Sequence, residues 1–333
     1  MAKTVRFHET GGPEVLRLED LEPGEPGPGE VLLRIEAIGV NRADGLFRGG
    51  RYIEPVKHFP ARLGNEAAGV VEATGSGVTG FAPGQPVSVV PNFSHNDYGV
   101  YAERALVPAT ALLPRSPDVD PVGSAAVWMP YLTAYGALVE VAGLRAGETA
   151  VITAASSGPG LAAIQTANRL GAMPVAVTRT RAKRQRLLDD GAAEVIVSDE
   201  EDVAGRVLEL TGGRGAEHVF DAVAGPGVRE LGRAVAAGGT LLLWGMQSGE
   251  PTPFPGFDLG MPALNMRTYT VTREVLAVPG RTRRGVAFVE SGLRTGTLRP
   301  VVDRTFPLEE AAEAHRYMEA GTQYGKIVLT TGR

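Results

Sequence analysis

A short apolar strand that runs through a turn of small residues into a helix has the residue types of an anion-binding site. The apolar stretch begins at Val151, and residues with helical spacing continue from Leu161 to Gly171. Free backbone N–H groups and the helix dipole point at whatever lies at such a turn, and a dinucleotide pyrophosphate is the usual occupant. The predicted binding residues are those of the turn itself: Ala155, Ser156, Ser157, Gly158, Pro159 and Gly160.

The glycine spacing of this turn is imperfect. A G-x-x-G-x-x-G pattern would fall on Ala154, Ser157 and Gly160, which leaves glycine only at the last position and an additional one at Gly158. Taken alone, the motif fits equally well with any strand-to-helix turn of a parallel sheet. Ser157 in place of the commoner glycine requires a backbone conformation that tolerates a Cβ, and it puts a hydroxyl near the phosphates.

Basic residues follow the second predicted strand, where a bound dinucleotide would have its adenosine ribose. An acidic residue at this point selects NAD, because it accepts hydrogen bonds from the ribose 2′-OH and repels a 2′-phosphate. Here no acidic residue occurs until Asp189, while Thr178, Arg179 and Lys183 offer a hydroxyl and two positive charges. The pattern predicts a preference for NADPH, and the alternative is a basic helix start that faces solvent.

Further strands alternate with helical stretches after the turn. They are predicted at Pro174–Arg179, Glu194–Val197, Glu217–Ala222, Thr240–Gly245 and Arg267–Thr272. Strands separated by helices imply a doubly wound parallel sheet, which binds ligands at the carboxyl ends of its strands.

Composition limits the classes of protein. The 333 residues carry a net charge of −5, with 43% hydrophobic and 21% charged residues, which is typical of a soluble globular protein of about two domains. An acidic chain without a basic stripe is not expected to bind nucleic acid. Because there is no cysteine, disulfides, thiolate nucleophiles and cysteine-ligated zinc are excluded.

The pattern of elements predicts two domains, one of them discontinuous. Short apolar stretches separated by Gly/Pro turns predict a mostly β domain before residue 124, and strand, helix and strand patterns return after Thr272. We therefore expect residues 1–124 and 273–333 to form one domain and residues 125–272 to form a nucleotide-binding domain inserted into it. The apolar window Ser124–Leu144 is predicted to be a buried interdomain helix, and without a secretory or membrane segment the chain is expected in the cytoplasm.

Several segments together resemble one family. They are Gly39-Val40-Asn41-Arg42-Ala43-Asp44, Leu63-Gly64-Asn65-Glu66-Ala67-Ala68-Gly69, Gly75-Ser76-Gly77-Val78, the turn after Val151, and Gly325-Lys326-Ile327-Val328-Leu329. In this order they resemble the zinc-independent medium-chain dehydrogenase/reductases of the quinone oxidoreductase (zeta-crystallin-like) branch. The resemblance implies an α/β fold in which a Rossmann NADPH domain is inserted into a GroES-like, mostly β catalytic domain, with the active site in the cleft between them.

The same resemblance argues against zinc. In the zinc-dependent alcohol dehydrogenases of this superfamily a Cys stands where this chain has Asn41, and a His stands where it has Asn65. An amide oxygen is a poor zinc ligand beside a thiolate or an imidazole. His95 has no second His or Cys nearby, so we interpret it as a loop or surface histidine, and no metal is predicted.

Three residues of the first domain are predicted to be catalytic. Hydride transfer to a conjugated carbonyl or a quinone leaves negative charge on oxygen, which needs hydrogen-bond donors and a source of a proton. Asn41 can supply an amide N–H, although Asn also favours tight turns. Tyr52 stands where related enoyl reductases place a tyrosine near the substrate carbonyl or the path of proton delivery, and the alternative is that it only packs. Asp44 either orients a neighbouring group or a hydrated nicotinamide amide, or it fixes Asn41 in a turn.

Four more residues are predicted to contact the cofactor. The resemblance places Tyr131 and Thr133 at the nicotinamide end, with core packing as the alternative. Gly245 follows the fifth strand, where a side chain would obstruct the cofactor. Lys326 can reach the cofactor from the tail, although a solvated lysine is the simpler interpretation.

The predicted function is NADPH-dependent, metal-independent reduction of a quinone or an activated, carbonyl-conjugated double bond. Reduction of an enone or an enoyl thioester is the alternative within this class, and a non-catalytic NADPH-binding protein is the alternative outside it. A homodimer is expected through the sixth strand, because Arg267–Thr272 would otherwise leave an exposed sheet edge. The loops 91–100 and 254–265 carry no interpretable motif and are expected to shape the pocket.

Overall fold

A computed structural model describes residues 1–115, 119–261 and 263–332. Residues 116–118 and Arg333, which belong to the predicted discontinuous domain, and Pro262 in the loop 254–265 lie outside the described residues. The chain divides into two compact units, Met1–Met129 with Pro300–Arg333 and Pro130–Arg299.

The strands and helices are numbered in chain order. The strands are β1 (Ala2–Phe7), β2 (Leu16–Leu21), β3 (Glu30–Val40), β4 (Ala61–Arg62), β5 (Ala67–Thr74), β6 (Pro86–Val89), β7 (Arg104–Pro108), β8 (Leu112–Pro114), β9 (Thr149–Ile152), β10 (Met173–Thr178), β11 (Glu194–Val197), β12 (Ala216–Asp221), β13 (Val235–Leu243), β14 (Asn265–Thr268), β15 (Val302–Pro307) and β16 (Lys326–Thr330). The α-helices are α1 (Arg42–Arg48), α2 (Pro121–Ser124), α3 (Trp128–Tyr135), α4 (Gly158–Leu170), α5 (Arg184–Asp189), α6 (Val203–Leu210), α7 (Val228–Ala234), α8 (Pro279–Arg294) and α9 (Ala311–Ala320).

The second unit is built on a six-stranded parallel sheet in the order β11-β10-β9-β12-β13-β14. Counted from β9, this is the 3-2-1-4-5-6 order of a Rossmann fold, so the predicted fold class is confirmed. In the centre of the sheet Val151 lies beside Val175 on one side and Val219 on the other. All four residues of β9 are buried, as expected for a strand that is covered on both faces.

The last strand of this sheet is shorter than predicted. β14 ends at Thr268, and a π-helix occupies Thr272–Leu276, so only the first two residues of the predicted strand Arg267–Thr272 are in a strand. The reason is that Tyr269 turns into the core, where it is 3% exposed and its hydroxyl donates to the carbonyl of Leu132 at 3.3 Å.

The second predicted domain boundary also differs from the structure. Helix α8 was expected to return to the discontinuous domain, but it groups with the second unit. A Cβ added to Gly285 would meet the side chains of Leu132 and Tyr135 at 2.9 and 3.2 Å, so α8 packs closely against α3. Arg284 also forms an ion pair with Glu140 at 2.6 Å. These contacts fix α8 to its unit, and a helical pattern in sequence does not show them.

The first unit contains two sheets. A three-stranded sheet has the order β2-β1-β4, and a larger one has the order β15-β16-β3-β5-β6-β8 with β7 also paired to β3. β15 and β16 are parallel, and the other pairs are antiparallel. Because β16 pairs with β3, the tail of the chain lies beside the end of β3, and this pairing brings Lys326 near Asn41. The sheets enclose an aliphatic and aromatic core that includes Phe7, Ile35, Phe47 and Leu63.

One stretch, Pro121–Val141, is long and apolar enough to cross a membrane by length and composition alone. Its most apolar window is 78% buried within the protein. A core helix is buried to this extent, because an apolar composition also suits the interior of a protein.

Candidate active site and dinucleotide site

The turn after β9 lies where the strand order of the parallel sheet reverses. Thr153, which follows β9, donates through Oγ1 to Oδ1 of Asp221 at the end of the neighbouring β12, at 2.5 Å. The same carboxylate accepts from the backbone N–H groups of Val223 at 3.1 Å and Ala224 at 2.7 Å. Open α/β sheets bind ligands at this reversal point, and here Asp221 fixes the backbone around it.

The backbone of the turn has a conformation at Ser157 that tolerates a Cβ, as its side chain requires. Ser157 is the N-cap of α4 with φ −76° and ψ 163°, an ordinary extended conformation, and its Oγ accepts from the N–H of Gly160 at 3.1 Å. The left-handed residue of the turn is Ala154, at φ 46°. A Cβ on Gly160 would lie 2.6 Å from the carbonyl oxygens of Ala154 and Ala155, so no other residue fits there without a backbone shift.

These features suit a dinucleotide pyrophosphate. Of the predicted residues, Ala155 and Gly160 are buried, while Ser156, Ser157, Gly158 and Pro159 are half-buried and form the accessible rim. Helix α4 is 13 residues long and presents its positive end to this rim. Small side chains beside a helix N-terminus let a phosphate approach the backbone closely, so the fit is good.

The basic residues after β10 have separate partners. Thr178 ends the strand and is 8% exposed. Lys183 donates from Nζ to Oγ of Ser156 at 3.1 Å, which brings a positive charge back to the turn. Arg181 pairs with Glu200 at 2.5 Å and Arg184 lies 3.6 Å from Glu201, both acids following β11.

Arg179 differs from its basic neighbours. Its side chain is exposed, and it forms no hydrogen bond or ion pair with any described residue. Sequence reasoning missed the acids after β11, which already neutralise Arg181 and Arg184. They leave Arg179 as the guanidinium available for an added phosphate.

Three other residues that were predicted to contact the cofactor lie in the second unit, where the protein itself surrounds them closely. A Cβ on Gly245 would lie 2.4 Å from the carbonyl oxygen of Ala222, so the protein's own backbone already requires glycine there. The Tyr131 hydroxyl donates to Oε1 of Gln165 at 2.8 Å, and burial raises its pKa. Thr133 is 5% exposed. Contacts of these residues with a cofactor stay predictions.

In the first unit, Asn41 and Asp44 define the start of α1. Asn41 is the N-cap residue, and Oδ2 of Asp44 accepts from its backbone N–H at 2.8 Å. This is the second of the two roles predicted for Asp44, fixing Asn41 in its turn. The arrangement is favourable because a carboxylate in the first helical turn compensates an unpaired N–H and the helix dipole.

The predicted donor role of Asn41 conflicts with its contacts. Its Nδ2 donates to the carbonyl of Gly39 at 3.1 Å and to Oε2 of Glu66 at 3.2 Å, so both amide hydrogens are used. Its Oδ1 accepts from Nζ of Lys326 at 2.5 Å. Because the ammonium must face an oxygen, this network also fixes the orientation of the amide. Asn41 therefore has no N–H left for a substrate oxygen in this arrangement.

Lys326 is buried, which corrects the interpretation of a solvated lysine, while its contact with a cofactor stays a prediction. It is 4% exposed and lies 2.5 Å from Oε2 of Glu66, which is fully buried. Oε1 of Glu66 accepts from the backbone N–H of Met129 at 2.8 Å. The Lys326 cluster, defined as Asn41, Glu66 and Lys326, is thus a buried ion pair with added hydrogen bonds.

His95 also differs from its prediction as a loop or surface histidine. It is 3% exposed, its ring stacks on Phe47 with centroids 4.9 Å apart, and its Nε2 lies 3.3 Å from Oδ1 of Asp44. An ionised carboxylate only accepts hydrogen bonds, so Nε2 carries the hydrogen. The chain from 91 to 100 thereby places a titratable ring beside a predicted catalytic carboxylate.

A second histidine completes the buried network around Asp44. Arg48 donates to Nδ1 of His315 at 2.7 Å, so Nε2 carries the hydrogen and faces the hydroxyl of Tyr101 at 3.2 Å. That hydroxyl donates to Oδ2 of Asp44 at 3.2 Å. Burial lowers the pKa of His315 to about 4, although the neighbouring charge of Asp44 opposes this effect. The ring is therefore neutral at neutral pH.

We expect His315 to make stability depend on pH. Its pKa in the folded protein, about 4, is below its ordinary value of 6.5. Between these values the unfolded chain binds a proton that the folded chain does not, so stability falls as the pH falls, by up to about 3 kcal/mol. Urea unfolding from pH 7 to pH 4 measures the slope. His315→Gln should reduce it, the exposed His58→Gln should not, and equal slopes in all three proteins would contradict the assignment.

Tyr52 is a predicted catalytic residue whose polar atom has no partner among the described residues. Its ring contacts Phe47 and His95, with centroids 6.4 and 5.3 Å away. Within the described part of the chain its hydroxyl has no hydrogen-bond partner. Burial raises its pKa, and Asp44 and Glu54 add to the effect, so the hydroxyl keeps its proton at neutral pH.

The loop 91–100 is attached to the segment that follows Tyr52. The amide of Asn96 donates to Oε1 of Glu54 at 2.8 Å and to the carbonyl of Pro55 at 3.0 Å. Its Oδ1 accepts from the backbone N–H of Lys57 at 2.8 Å. Three bonds from one side chain fix the two segments to each other, and hence His95 beside Tyr52.

Comparisons with known proteins agree with this architecture. Residues 27–118 match the family model of the alcohol dehydrogenase GroES-like domain, and residues 191–329 match that of a zinc-binding dehydrogenase. The chain is 36% identical over 333 residues to quinone oxidoreductase of Pseudomonas aeruginosa, and 31% identical over 334 residues to 2-haloacrylate reductase of a Burkholderia species. In both cases 99% of each chain is covered. Quinone oxidoreductase of Escherichia coli, solved in complex with NADPH, superimposes with a TM-score of 0.92 at 27% identity, covering 99% of this chain and 100% of that one.

The donor groups present do not suit the zinc that the second family model implies. Asn41 and Asn65 offer amide oxygens where zinc would need thiolate or imidazole, and Oδ1 of Asn41 already accepts from Lys326. The Lys326 ammonium also places a positive charge beside Glu66. Among the described residues no group of three or more His, Asp or Glu could hold a metal ion.

We expect activity to survive removal of metal. Dialysis against a strong chelator, followed by elemental analysis, should leave turnover unchanged and show no stoichiometric zinc. Loss of turnover that only zinc restores would contradict this prediction.

Proposed function

The chain belongs to the medium-chain dehydrogenase/reductase superfamily, in its quinone oxidoreductase branch, and on that premise we propose that it is an NADPH-dependent oxidoreductase. It transfers a hydride to a quinone or to an activated double bond conjugated to a carbonyl. The cofactor part of this proposal rests on Arg179, which has no partner among the described residues and follows the strand next to the turn that caps α4.

The second unit supplies the binding groups for NADPH. The rim of the turn from Ala155 to Gly160 would hold the pyrophosphate, while Arg179, Lys183 and Thr178 would hold the 2′-phosphate and its ribose. Tyr131 and Thr133 would contact the nicotinamide end through their hydrocarbon surfaces. Gly245 would let the cofactor pass close to the backbone at the end of its strand. When bound, NADPH supplies the hydride.

The first unit supplies the acid. A hydride added to an enone leaves negative charge on the acceptor oxygen, and a positioned donor stabilises that charge and gives it a proton. Tyr52 has a free, protonated hydroxyl, which is what the step needs. The Lys326 cluster holds Asn41 and the start of α1, so its contribution is to keep this part of the first unit in place.

A panel of acceptors tests the proposed function. Quinones, enones and enoyl thioesters are mixed with the enzyme and NADPH without oxygen, and loss of the nicotinamide absorbance is followed. Turnover on quinones favours the first assignment, and turnover confined to enones or enoyl thioesters favours the second. Tight NADPH binding without turnover on any acceptor would support a non-catalytic binding protein instead.

We expect Tyr52→Phe to affect enones more than quinones. The product of quinone reduction can take protons from water, whereas an enolate benefits from a positioned donor. Loss of a general acid typically costs about 100-fold in rate, so we expect a loss of this size with the enone. Comparing kcat/KM of the variant for one quinone and one enone measures the difference. Equal losses for both acceptors would assign Tyr52 to packing.

We also propose a homodimer joined through β14. This edge strand has three exposed residues of four, Asn265, Arg267 and Thr268, whereas the opposite edge, β11, has three buried residues of four. Phe254, Phe257 and Met261, just before β14, are exposed apolar residues. An open strand edge beside apolar surface favours pairing with a second copy.

Light scattering over a range of concentrations tests the homodimer. The expected mass is twice the 34.9 kDa of the chain. A single-chain mass at every concentration would contradict it.

A further inference from the structure

The indole N–H of Trp244 is a buried donor without a partner. Trp244 directly follows β13, and its Nε1 forms no hydrogen bond with any residue that the structure describes. Its ring stacks on the fully buried Phe220, with centroids 4.9 Å apart and ring planes at 17°. Unpaired donors of this kind are rare in proteins, because burial removes the hydrogen bonds that they would form with water. The atom therefore points to a partner that the protein alone does not supply.

The backbone around Trp244 is attached to the carboxyl end of the parallel sheet. The N–H of Trp244 donates to the carbonyl of Asp221 at 2.9 Å, and the Asp221 carboxylate accepts from Thr153 beside the turn after β9. On the other side, the N–H of Tyr269 donates to the carbonyl of Leu243 at 2.8 Å. Open α/β sheets bind their ligands at this end, so the unpaired N–H lies where a ligand is expected.

The order of the strands indicates which part of a dinucleotide would reach Trp244. The pyrophosphate is proposed to lie at the turn after β9, and Arg179, which would hold the 2′-phosphate, follows β10 on one side of β9. Trp244 follows β13, two strands away on the other side. Neighbouring strands are about 4.8 Å apart, so the end of β13 is about 10 Å from that of β9, in the direction away from the adenosine. The nicotinamide half of the cofactor would extend in this direction.

We propose that the indole N–H of Trp244 donates a hydrogen bond to the carboxamide oxygen of the bound nicotinamide. This inference rests on the proposed function, in which NADPH is the cofactor. An indole N–H can only donate, so its partner must be an acceptor, and the carboxamide oxygen is the acceptor that the nicotinamide ring carries. Because the carboxamide is attached directly to the ring, this bond fixes the orientation of the ring.

Binding must open a path to the indole N–H. Trp244 as a whole is half-buried, but its Nε1 is out of contact with solvent. The two residues that follow Gly245, Met246 and Gln247, are both exposed. Their side chains border solvent and can move without opening the core, so the cofactor displaces them when its nicotinamide ring enters.

Nitrogen–proton NMR of the indole groups tests the proposal without turnover. The chain has two tryptophans, so two indole signals are expected, and Trp244→Phe assigns the signal of Trp244 by removing it. A new hydrogen bond moves the indole proton downfield, and NADP⁺ is expected to cause this shift. The fragment 2′-phospho-ADP-ribose, which lacks the nicotinamide, should leave the signal in place. If Trp244→Phe fails to fold, the wild-type titrations still decide, because one of the two signals must move downfield with NADP⁺ alone.

Dissociation constants of the Trp244→Phe variant provide a second test. Phenylalanine retains a ring that can stack on Phe220 and removes only the donor. NADPH and NADH should both bind about three- to tenfold more weakly, as expected for the loss of one hydrogen bond between neutral groups. Binding of 2′-phospho-ADP-ribose, measured by calorimetry, should stay within about twofold of wild type. Arg179→Ala should show the opposite pattern, with weaker binding of NADPH and of the fragment and unchanged binding of NADH.

The outcomes separate this inference from the proposed function. If NADP⁺ binds while neither indole proton moves downfield, or if the fragment causes the same shift, the Trp244 contact is wrong and the reductase function is unaffected. Equal weakening of NADPH and 2′-phospho-ADP-ribose in a folded Trp244→Phe would likewise overturn the contact. Failure of both NADPH and NADP⁺ to bind would overturn the proposed function together with this inference.

Discussion

Arg179→Ala is expected to weaken NADPH binding about tenfold or more and to leave NADH binding nearly unchanged. A charge-assisted hydrogen bond is worth about 1.5–3 kcal/mol, and each 1.4 kcal/mol is about a factor of ten in affinity. The planar guanidinium matches a phosphate with two parallel bonds, and NADH has no phosphate at that position. The effect should therefore fall on one cofactor only.

The neighbouring Arg181 provides a matched control for this prediction. It is exposed like Arg179, but it already pairs with Glu200 at 2.5 Å. Arg181→Ala should weaken NADPH far less, because its charge is compensated within the protein. Fluorescence titration of both variants with both cofactors measures the four ratios. Similar weakening of NADPH and NADH in Arg179→Ala, or efficient use of NADH by the wild type, would contradict the assignment of a 2′-phosphate partner.

Lys326→Met is expected to lower the free energy of unfolding by about 3–5 kcal/mol, because it leaves a buried carboxylate without its counter-charge. Glu66 is fully buried, and among the residues that the structure describes its carboxylate keeps only the N–H groups of Met129 and Asn41 as partners after the change. Replacing both charges in Lys326→Met/Glu66→Gln should restore much of the loss, since no uncompensated charge remains.

Urea unfolding of the two single variants and the double variant measures the coupling between Lys326 and Glu66. The control is Lys3→Met, which breaks a solvent-exposed pair with Glu309 and should change little. Additive losses from Lys326→Met and Glu66→Gln would mean that the two charges do not depend on each other. That result would contradict the buried ion pair and would support the interpretation of Lys326 as a solvated residue.

The repeating pattern of strands and helices in the sequence predicted most of the fold. β11 was predicted with its observed ends, and β10 and β12 within one residue, because fully buried parallel strands form short apolar runs between glycine-rich turns. The pattern was less accurate at the sheet edge, where Tyr269 and Val271 look like strand residues but turn inward after β14. It was also misleading for α8, since periodicity shows that a helix has an apolar face and not which unit that face contacts.

The candidate site was harder to predict, because its contacts join residues far apart in sequence. Glu66 and Lys326 are 260 positions apart, and only the pairing of β16 with β3 brings them together. The lysine was predicted to be solvated because lysines are seldom buried without a partner, and no local signal names that partner. His95 was predicted to be a loop or surface histidine for a similar reason. Partners for it were sought nearby in sequence, whereas Asp44 lies 51 positions away.

The turn after β9 was predictable because its chemistry is local. Small residues, an N-cap serine and a proline in the first helical turn are adjacent in sequence, and each has a direct backbone consequence. What sequence could not show was which of the basic residues after β10 has no partner in the described part of the chain. The acids after β11 pair with Arg181 and Arg184, and that selection depends on the parallel pairing of β10 with β11.

The most direct test of the proposed hydride transfer uses NADPH that carries deuterium on one or the other face of the nicotinamide C4. Each labelled cofactor is oxidised by the enzyme with an acceptor from the panel, and the deuterium left in NADP⁺ is measured by mass spectrometry. A site that holds the cofactor in one orientation predicts complete loss of deuterium from one labelled cofactor and complete retention in the other. Equal loss from both faces, or no oxidation with any acceptor, would contradict enzymatic hydride transfer.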